Sequence, residues 1–444
     1  MAHSPTPSPR AVALNDPRTI NGWAMFDWAN SAYALVITTA VFPGYYNGLS
    51  TEPVRVLGQS LGLESLMAFA LSAAYLVLAA ASPLLSGIAD ASGKKLAFLR
   101  AFTLVGSVAC MGMWWFAGIE QLGIGTTLFI VATIGYSGAL VFYNAFLPEI
   151  ASEDRYDAVS ARGFSFGYVG SVLLLVASLA LILNPQWLGF PAGETGTARA
   201  IRVSFVAVGL WWLGFGLFAF SRMPRDARVA VAPGWLKRGY KEVAYTWRDA
   251  RKQPPLIRFL TAFYFYSAGV QTVLFLASTF AAVVLGFETV ELIVVVLILQ
   301  VVAIGGAHLF AFLSARIGNV NALLLMLAIW CGVCGAAYFV TDKPLFYGLA
   351  GLVGLVMGGI QSLSRSTYSK LIPEDTDDNT SYFSFYDLLE KLAIVSGTLV
   401  FGLIGTTPGG MRLSMLALTG FFLVGAALLY TVKKRTREFG NVIE

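Results

Sequence analysis

The 444 residues carry 30 Lys and Arg against 25 Asp and Glu, so 12% of the chain is charged where a soluble domain has about 25%; 57% is apolar and mean hydropathy is +0.70. A solvated surface of ordinary composition cannot be drawn from that set, which all but excludes a soluble enzyme. Three Cys and two His rule out a disulfide scaffold, a zinc-ribbon array or a multi-haem protein, each of which needs more ligands. Apolar runs reach the length a helix needs to cross about 30 Å of hydrocarbon, without the short alternating segments of a barrel, so the class is an all-α integral membrane protein.

In chain order, residues 1–22 are proline-rich at their start, contain no block of signal-peptide length, and read as a disordered cytoplasmic tail. Polar or Pro/Gly breaks then separate twelve apolar stretches: 23–46, 64–89, 96–118, 123–147, 163–184, 200–220, 256–285, 289–313, 320–340, 344–369, 380–405 and 411–432. With both termini inside, 23 Lys and Arg fall on the cytoplasmic side and 5 outside, which fixes that orientation by the positive-inside rule. The longest polar interval, 221–255, divides a six-helix bundle at 23–220 from another at 256–432, and 433–444 forms a second cytoplasmic tail. Within the interval Trp235, Leu236, Tyr240, Val243 and Trp247 recur at near-helical spacing among Lys and Arg, the pattern of an amphipathic helix on anionic lipids of the inner leaflet. A solvated linker is the alternative.

The two halves repeat. Tyr143 precedes Pro148-Glu149 by five residues as Tyr368 precedes Pro373-Glu374, and a Phe-Ser-Phe triplet follows at 164–166 and 383–385. Both copies enter the membrane in the same direction, a parallel repeat of six.

The loop after span two, Ser86-Gly87-Ile88-Ala89-Asp90-Ala91-Ser92-Gly93-Lys94-Lys95, resembles the signature that the major facilitator superfamily carries there, with Ser86 in the usual glycine position. Asp90 suits the N-terminus of a nearby helix or an Arg across the half-interface, and Lys94 and Lys95 suit the inner leaflet. Residues 314–318 are its reduced second-half counterpart. Trp23-Ala24-Met25-Phe26-Asp27-Trp28-Ala29-Asn30-Ser31-Ala32-Tyr33, Tyr143-Asn144-Ala145-Phe146-Leu147-Pro148-Glu149, Ser160-Ala161-Arg162-Gly163-Phe164 and Gln361-Ser362-Leu363-Ser364-Arg365-Ser366 together resemble the branch of that superfamily containing the autophagy-related vacuolar amino-acid exporters and their bacterial relatives. The resemblance implies two six-helix halves rocking about a midplane site, amino-acid export, and gating roles for Asp90, Lys94, Lys95, Glu149 and Arg162.

An ionisable group at bilayer depth costs about 2.5 to 3.5 kcal/mol on insertion scales, so each one is a functional candidate. Asp27, Asn30, Ser31, Ala34 and Thr38 form a polar or small stripe on span one; Gln361, Ser364, Arg365 and Tyr368 form another on span ten; span eleven holds Asp387, Glu390 and Lys391. At about 1.5 Å per residue, Asp27 and Arg365 both lie roughly 8 Å from the cytoplasmic face, and Lys391 roughly 16 Å. Asp27 and Arg365 are thereby candidates to pair across the halves, with Asp387 to Lys391 as a local alternative. Substrate-binding candidates are Asn30, Tyr33, Tyr136, Tyr168, Tyr266, Gln271, Gln300, Gln361, Arg365 and Lys391, and Asp27, Asp387 and Glu390 are candidates for proton coupling. Cys331-x-x-Cys334, His308 and the paired glycines Gly163/Gly167 and Gly354/Gly358 read as helix packing.

The expected function is secondary active transport of a small polar, carboxylate-bearing solute by alternating access, proton-coupled, in the cytoplasmic membrane, by a monomer. No cofactor, metal or nucleic acid enters it. The alternative is a transport-inactive sensor or assembly partner with the same fold, signalling through 221–255.

Overall fold

The computed structural model describes residues 13–56, 58–226, 235–373, 376, 378–405 and 410–439. Each apolar stretch is a helix. Span one runs from Pro17 to Asn47 in three segments, Pro17–Ala32, a π-helical Tyr33–Val41 and Phe42–Asn47. Asp16 caps it by accepting from the Thr19 amide at 3.0 Å, and Asn15 is held to Ser152 by two hydrogen bonds. The tail expected over 1–22 is therefore corrected: 17–22 belong to the first helix, because Asp16-Pro17 is a cap followed by proline at the first helical position. Residues 1–12 lie outside the described residues.

The other first-half spans are Leu63–Ser92, Lys95–Gly112, Leu122–Asn144, Tyr156–Leu183 and Glu194–Phe220. A two-stranded hairpin, Val54–Val56 with Gln59–Leu61, interrupts the all-helical pattern between spans one and two. Spans seven to twelve are Pro254–Leu285, Thr289–Ile317, Asn319–Phe339, Lys343–Leu371, Asn379–Gly405 and Gly410–Phe439. Among the described residues nine helices pass a length-and-hydropathy criterion for crossing a membrane, and span seven adds a tenth when its two segments count as one. Large apolar side chains such as Leu76, Leu183, Val283 and Phe339 stand exposed on the outer faces, where lipid is the solvent.

Each half has its own aromatic core. Phe42 stacks on Phe129, and Tyr33 packs on Trp212, in the first; Trp330 stacks on Phe422, and Phe263 on Tyr386, in the second. Spans eight and ten touch backbone to backbone, because a Cβ at Gly354 would stand 2.6 Å from the Leu299 carbonyl oxygen and one at Gly358 would collide with that of Ala303.

The helix Trp235–Ala250 leads into span seven at the end of the bundle from which span one starts, called here the basic end. It is fastened to the N-terminus of span eleven: Tyr382 donates to Asp249 at 3.1 Å and Trp247 packs on Phe385. Just before it, Asp226 accepts from the amides of Leu96 and Ala97 at 2.7 and 2.9 Å, capping span three from a distance in sequence, and partial burial holds its carboxyl above the ordinary value.

Candidate functional site

Arg365 is the point where the two halves are sewn together. Its Nη1 donates to Asp27 Oδ2 at 3.3 Å and to Asn144 Oδ1 at 3.2 Å, its Nε donates to Ser160 Oγ at 2.9 Å, and its Nη2 to the Ser160 carbonyl at 2.9 Å. The guanidinium lies over the rings of Trp23, Tyr143 and Phe164 at 4.2 to 5.5 Å. Asp27 takes a second donor, the Tyr143 hydroxyl, at 2.6 Å. Side-chain exposure is 3% for Arg365 and 5% for Asp27, so the pair depends on this full set of partners to offset desolvation.

Four segments distant in sequence thus meet around one guanidinium. Trp23 and Asp27 come from span one, Tyr143 and Asn144 from the end of span four, Ser160 and Phe164 from span five, and Arg365 from span ten. Gly163 makes the meeting possible: a Cβ there would stand 2.6 Å from Asp27 Oδ2 and 2.9 Å from Arg365 Nη2.

Above this knot lies a cavity of about 300 Å³ between the halves. Asp27 and Arg365 form its floor, and its lining on span one continues to Thr39, about 18 Å further from the basic end. Span eleven supplies one wall. Lys391 donates to Asp387 Oδ1 at 2.5 Å and stands 3.7 Å from Glu390 Oε2, while Glu390 Oε1 accepts from Gln271 at 2.9 Å. Both ion pairs foreseen for Asp27 and Lys391 therefore form together, with different partners.

Of the expected binding residues, Tyr136, Tyr168, Tyr266, Gln271, Gln300, Gln361, Arg365 and Lys391 line the cavity, as do Asp27 and Glu390. Tyr168 donates to Gln361 across the halves at 2.6 Å, and Tyr266 is bonded to Ser364 at 2.8 Å. Asp387 lies behind Lys391. Two placements need correction. Tyr33 is inside the first-half core, bonded to Thr133 at 2.9 Å, and Asn30 is buried away from the lining. Asn30 falls to the side of the Asp27–Ser31 line, whereas Ser31, Ala34 and Thr38 of the expected stripe do line the cavity, and in the π-helical segment from Tyr33 the wider turn adds Leu35 and Thr39 to them.

The basic end is closed by two further ties. Asp90 accepts from the amides of Thr380 and Ser381 at 3.2 and 2.7 Å and from the Ser381 hydroxyl at 2.7 Å, capping span eleven across the halves. Asp157 accepts from Ser314 at 2.9 Å, Asn319 at 2.8 Å and Lys370 at 3.0 Å. These are pseudo-symmetric: the loop after span two meets span eleven, and the loop after span eight meets span five, but in the second tie the acid has moved to the opposite partner. Lys95 pairs with Glu149 inside the first half, Lys94 precedes span three, and Arg162 stands exposed over Phe166, so none of these four bridges the halves in this state.

Asp157, Asn319, Lys370, Ser160, Asn144 and Tyr75 escaped the reading of the sequence. Ser160 and Asn144 sat within motifs quoted for the resemblance; Asp157 lies outside the apolar stretches and gave no signal. Cys331 and Cys334 are free thiols, and among the described residues no His, Cys, Asp and Glu cluster has a metal-site arrangement.

Two six-helix halves around a central polar cavity define a membrane transporter of the major facilitator fold. Solved structures share it: the fucose:proton symporter FucP in the outward conformation superposes with a TM-score of 0.70 over 94% of this chain and 99% of that one at 14% identity. The human organic anion transporter MFSD10 gives 0.69 over 94% and 100% at 13% identity. Within that fold the chain belongs to the family described as "Vacuole effluxer Atg22 like", whose profile matches residues 15–438. It is 32% identical over 416 residues to the uncharacterized MFS-type transporter YxiO of Bacillus subtilis, covering 94% of this chain and 95% of that one. Autophagy-related protein 22 of Kluyveromyces lactis is 24% identical, over 84% of this chain and 80% of that protein. The Bacillus subtilis relative and both solved structures are named as transporters, not as enzymes.

Proposed function

We propose that this membrane transporter moves a small carboxylate-bearing solute, an amino acid or related metabolite, by proton-coupled alternating access. The supporting observation is the cavity itself: its floor and one wall present Arg365 and Lys391, the cations among its described lining, with Tyr136, Tyr168, Gln300 and Gln361 available for hydrogen bonds. The family description names an effluxer, which favours export as the direction.

Both termini are cytoplasmic in this reading, on the strength of the 23-to-5 Lys and Arg bias, and the protein sits as a monomer in the cytoplasmic membrane. The basic end is then the inner end, the state is inward-closed, and helix 235–250 lies where exposed Tyr245, Trp247 and Arg248 meet anionic lipid. Reporters after Glu444 and within 190–197 should read cytoplasmic and external; an external C-terminus refutes the orientation.

The deciding experiment reconstitutes the purified chain in proteoliposomes and offers a panel of amino acids and small carboxylates under a pH gradient, after thermal-shift screening to choose them. Accumulation of one of them supports the reading. No accumulation of any panel member by folded protein refutes it.

A further inference from the structure

The charges around the cavity do not balance. Asp27, Asp387 and Glu390 face two cations, Arg365 and Lys391. Asp27 has Arg365 and the Tyr143 hydroxyl; Asp387 has Lys391 at 2.5 Å; Glu390 is left with the outer edge of that same Lys391 at 3.7 Å and the neutral amide of Gln271.

The other polar groups facing Glu390 bring no positive charge. They are Tyr386 on its own helix, Tyr75 on span two, Tyr136 on span four and Tyr266 on span seven. A fixed excess carboxylate set among buried groups, with water only on its cavity side, is costly unless something neutralises it. A second observation points the same way. Asp387 Oδ2 is buried with no donor among the described residues, so Lys391 does not fully satisfy even the nearer of its two acids. One proton supplies the missing positive charge.

We infer that the Asp387, Glu390 and Lys391 cluster binds one proton, seated on Glu390. Glu390 is the seat because it lines the cavity, with 26% of its side chain exposed against 6% for its two neighbours, and so exchanges with the aqueous phase. The step is simple: a hydronium ion in the cavity gives its proton to the Glu390 carboxylate, leaving water and a neutral carboxyl that still accepts from Gln271. Asp27 then serves to hold the halves together and carries no proton. That this proton is the coupling ion rests on the transport reading above; the site itself does not.

The test needs no substrate. Infrared titration of the full chain in detergent should show a protonated-carboxyl C=O band at neutral pH that disappears at alkaline pH. Glu390→Gln should abolish it, Asp27→Asn should leave it, and Gln271→Leu, which removes the donor to Glu390, should shift its frequency. Absence of the band in the unmodified protein, its survival in Glu390→Gln, or its loss in Asp27→Asn overturns the assignment. Should Glu390→Gln fail to fold, an unshifted band in Gln271→Leu overturns it equally. A band that behaves as expected in a protein that accumulates no carboxylate would refute the transport reading and leave the proton site standing.

Discussion

The floor and the wall of the cavity use the same residue types to opposite ends. At the floor one Arg and one Asp are surrounded by a complete set of partners drawn from spans one, four, five and ten, so each charge is matched and each Arg365 nitrogen has an acceptor. On the wall, 25 residues along the chain, one Lys serves two acids and a carboxylate oxygen has no donor among the described residues. A saturated charge pair holds a conformation; an unsaturated cluster is available for something to bind. The comparison assigns cohesion of the halves to the first and ligand or proton exchange to the second.

Breaking the floor should have the largest effect. Arg365→Ala leaves Asp27 buried without its cation and should cost about 3 to 5 kcal/mol of stability, read as a fall in thermal unfolding temperature, whereas Arg365→Ala combined with Asp27→Ala should recover part of it. If the single variant is as stable as the parent, the floor is not the cohesive element. At the wall the loss should fall on binding instead. Lys391→Ala should weaken the transported carboxylate by about 1.5 to 3 kcal/mol in a binding titration; unchanged affinity would make Lys391 structural and erase the distinction between the regions.

Gly163→Ala tests the same contrast without removing a charge. Its Cβ intrudes on both Asp27 and Arg365, and the strain should cost about 1 to 3 kcal/mol in thermal stability. Tyr33→Phe should do least: it removes a hydrogen bond to Thr133 inside the first-half core, costing about 0.5 to 1.5 kcal/mol of stability with ligand affinity unchanged. A loss of affinity there would return Tyr33 to the site.

Hydropathy made the helices legible, since a run of about 20 apolar residues between polar breaks has few alternatives in a chain so poor in charge. Depth counting also brought Asp27 and Arg365 to one level, because helical rise is nearly constant. What failed was rotation about the axis at two positions of span one. Of the stripe Asp27, Asn30, Ser31, Ala34 and Thr38 all but Asn30 line the cavity, and Tyr33, at mid-depth on the same span, turns into the first-half core, because depth counted along a helix does not say which way a side chain points. The ties at the basic end failed for a different reason. Asp157 meets Ser314, Asn319 and Lys370 only because two bundles pack face to face, a relation between segments more than 150 residues apart that no local pattern records. The long polar interval shows a third limit: its periodicity predicts a helix, and the helix Trp235–Ala250 is present, but its fastening to Tyr382 and Phe385 is tertiary.

The central claim is that Arg365 and Asp27 hold the halves closed at the basic end and must part for the cavity to open there. Spin labels at Asp154→Cys and Arg316→Cys, exposed residues of opposite halves beside the Asp157 tie, report that separation directly by double electron-electron resonance, in a background with the native cysteines replaced. The account predicts one short distance distribution in the parent and a population at longer distance when Arg365→Ala and Asp27→Ala are combined. An unchanged distribution in that folded double variant would contradict it.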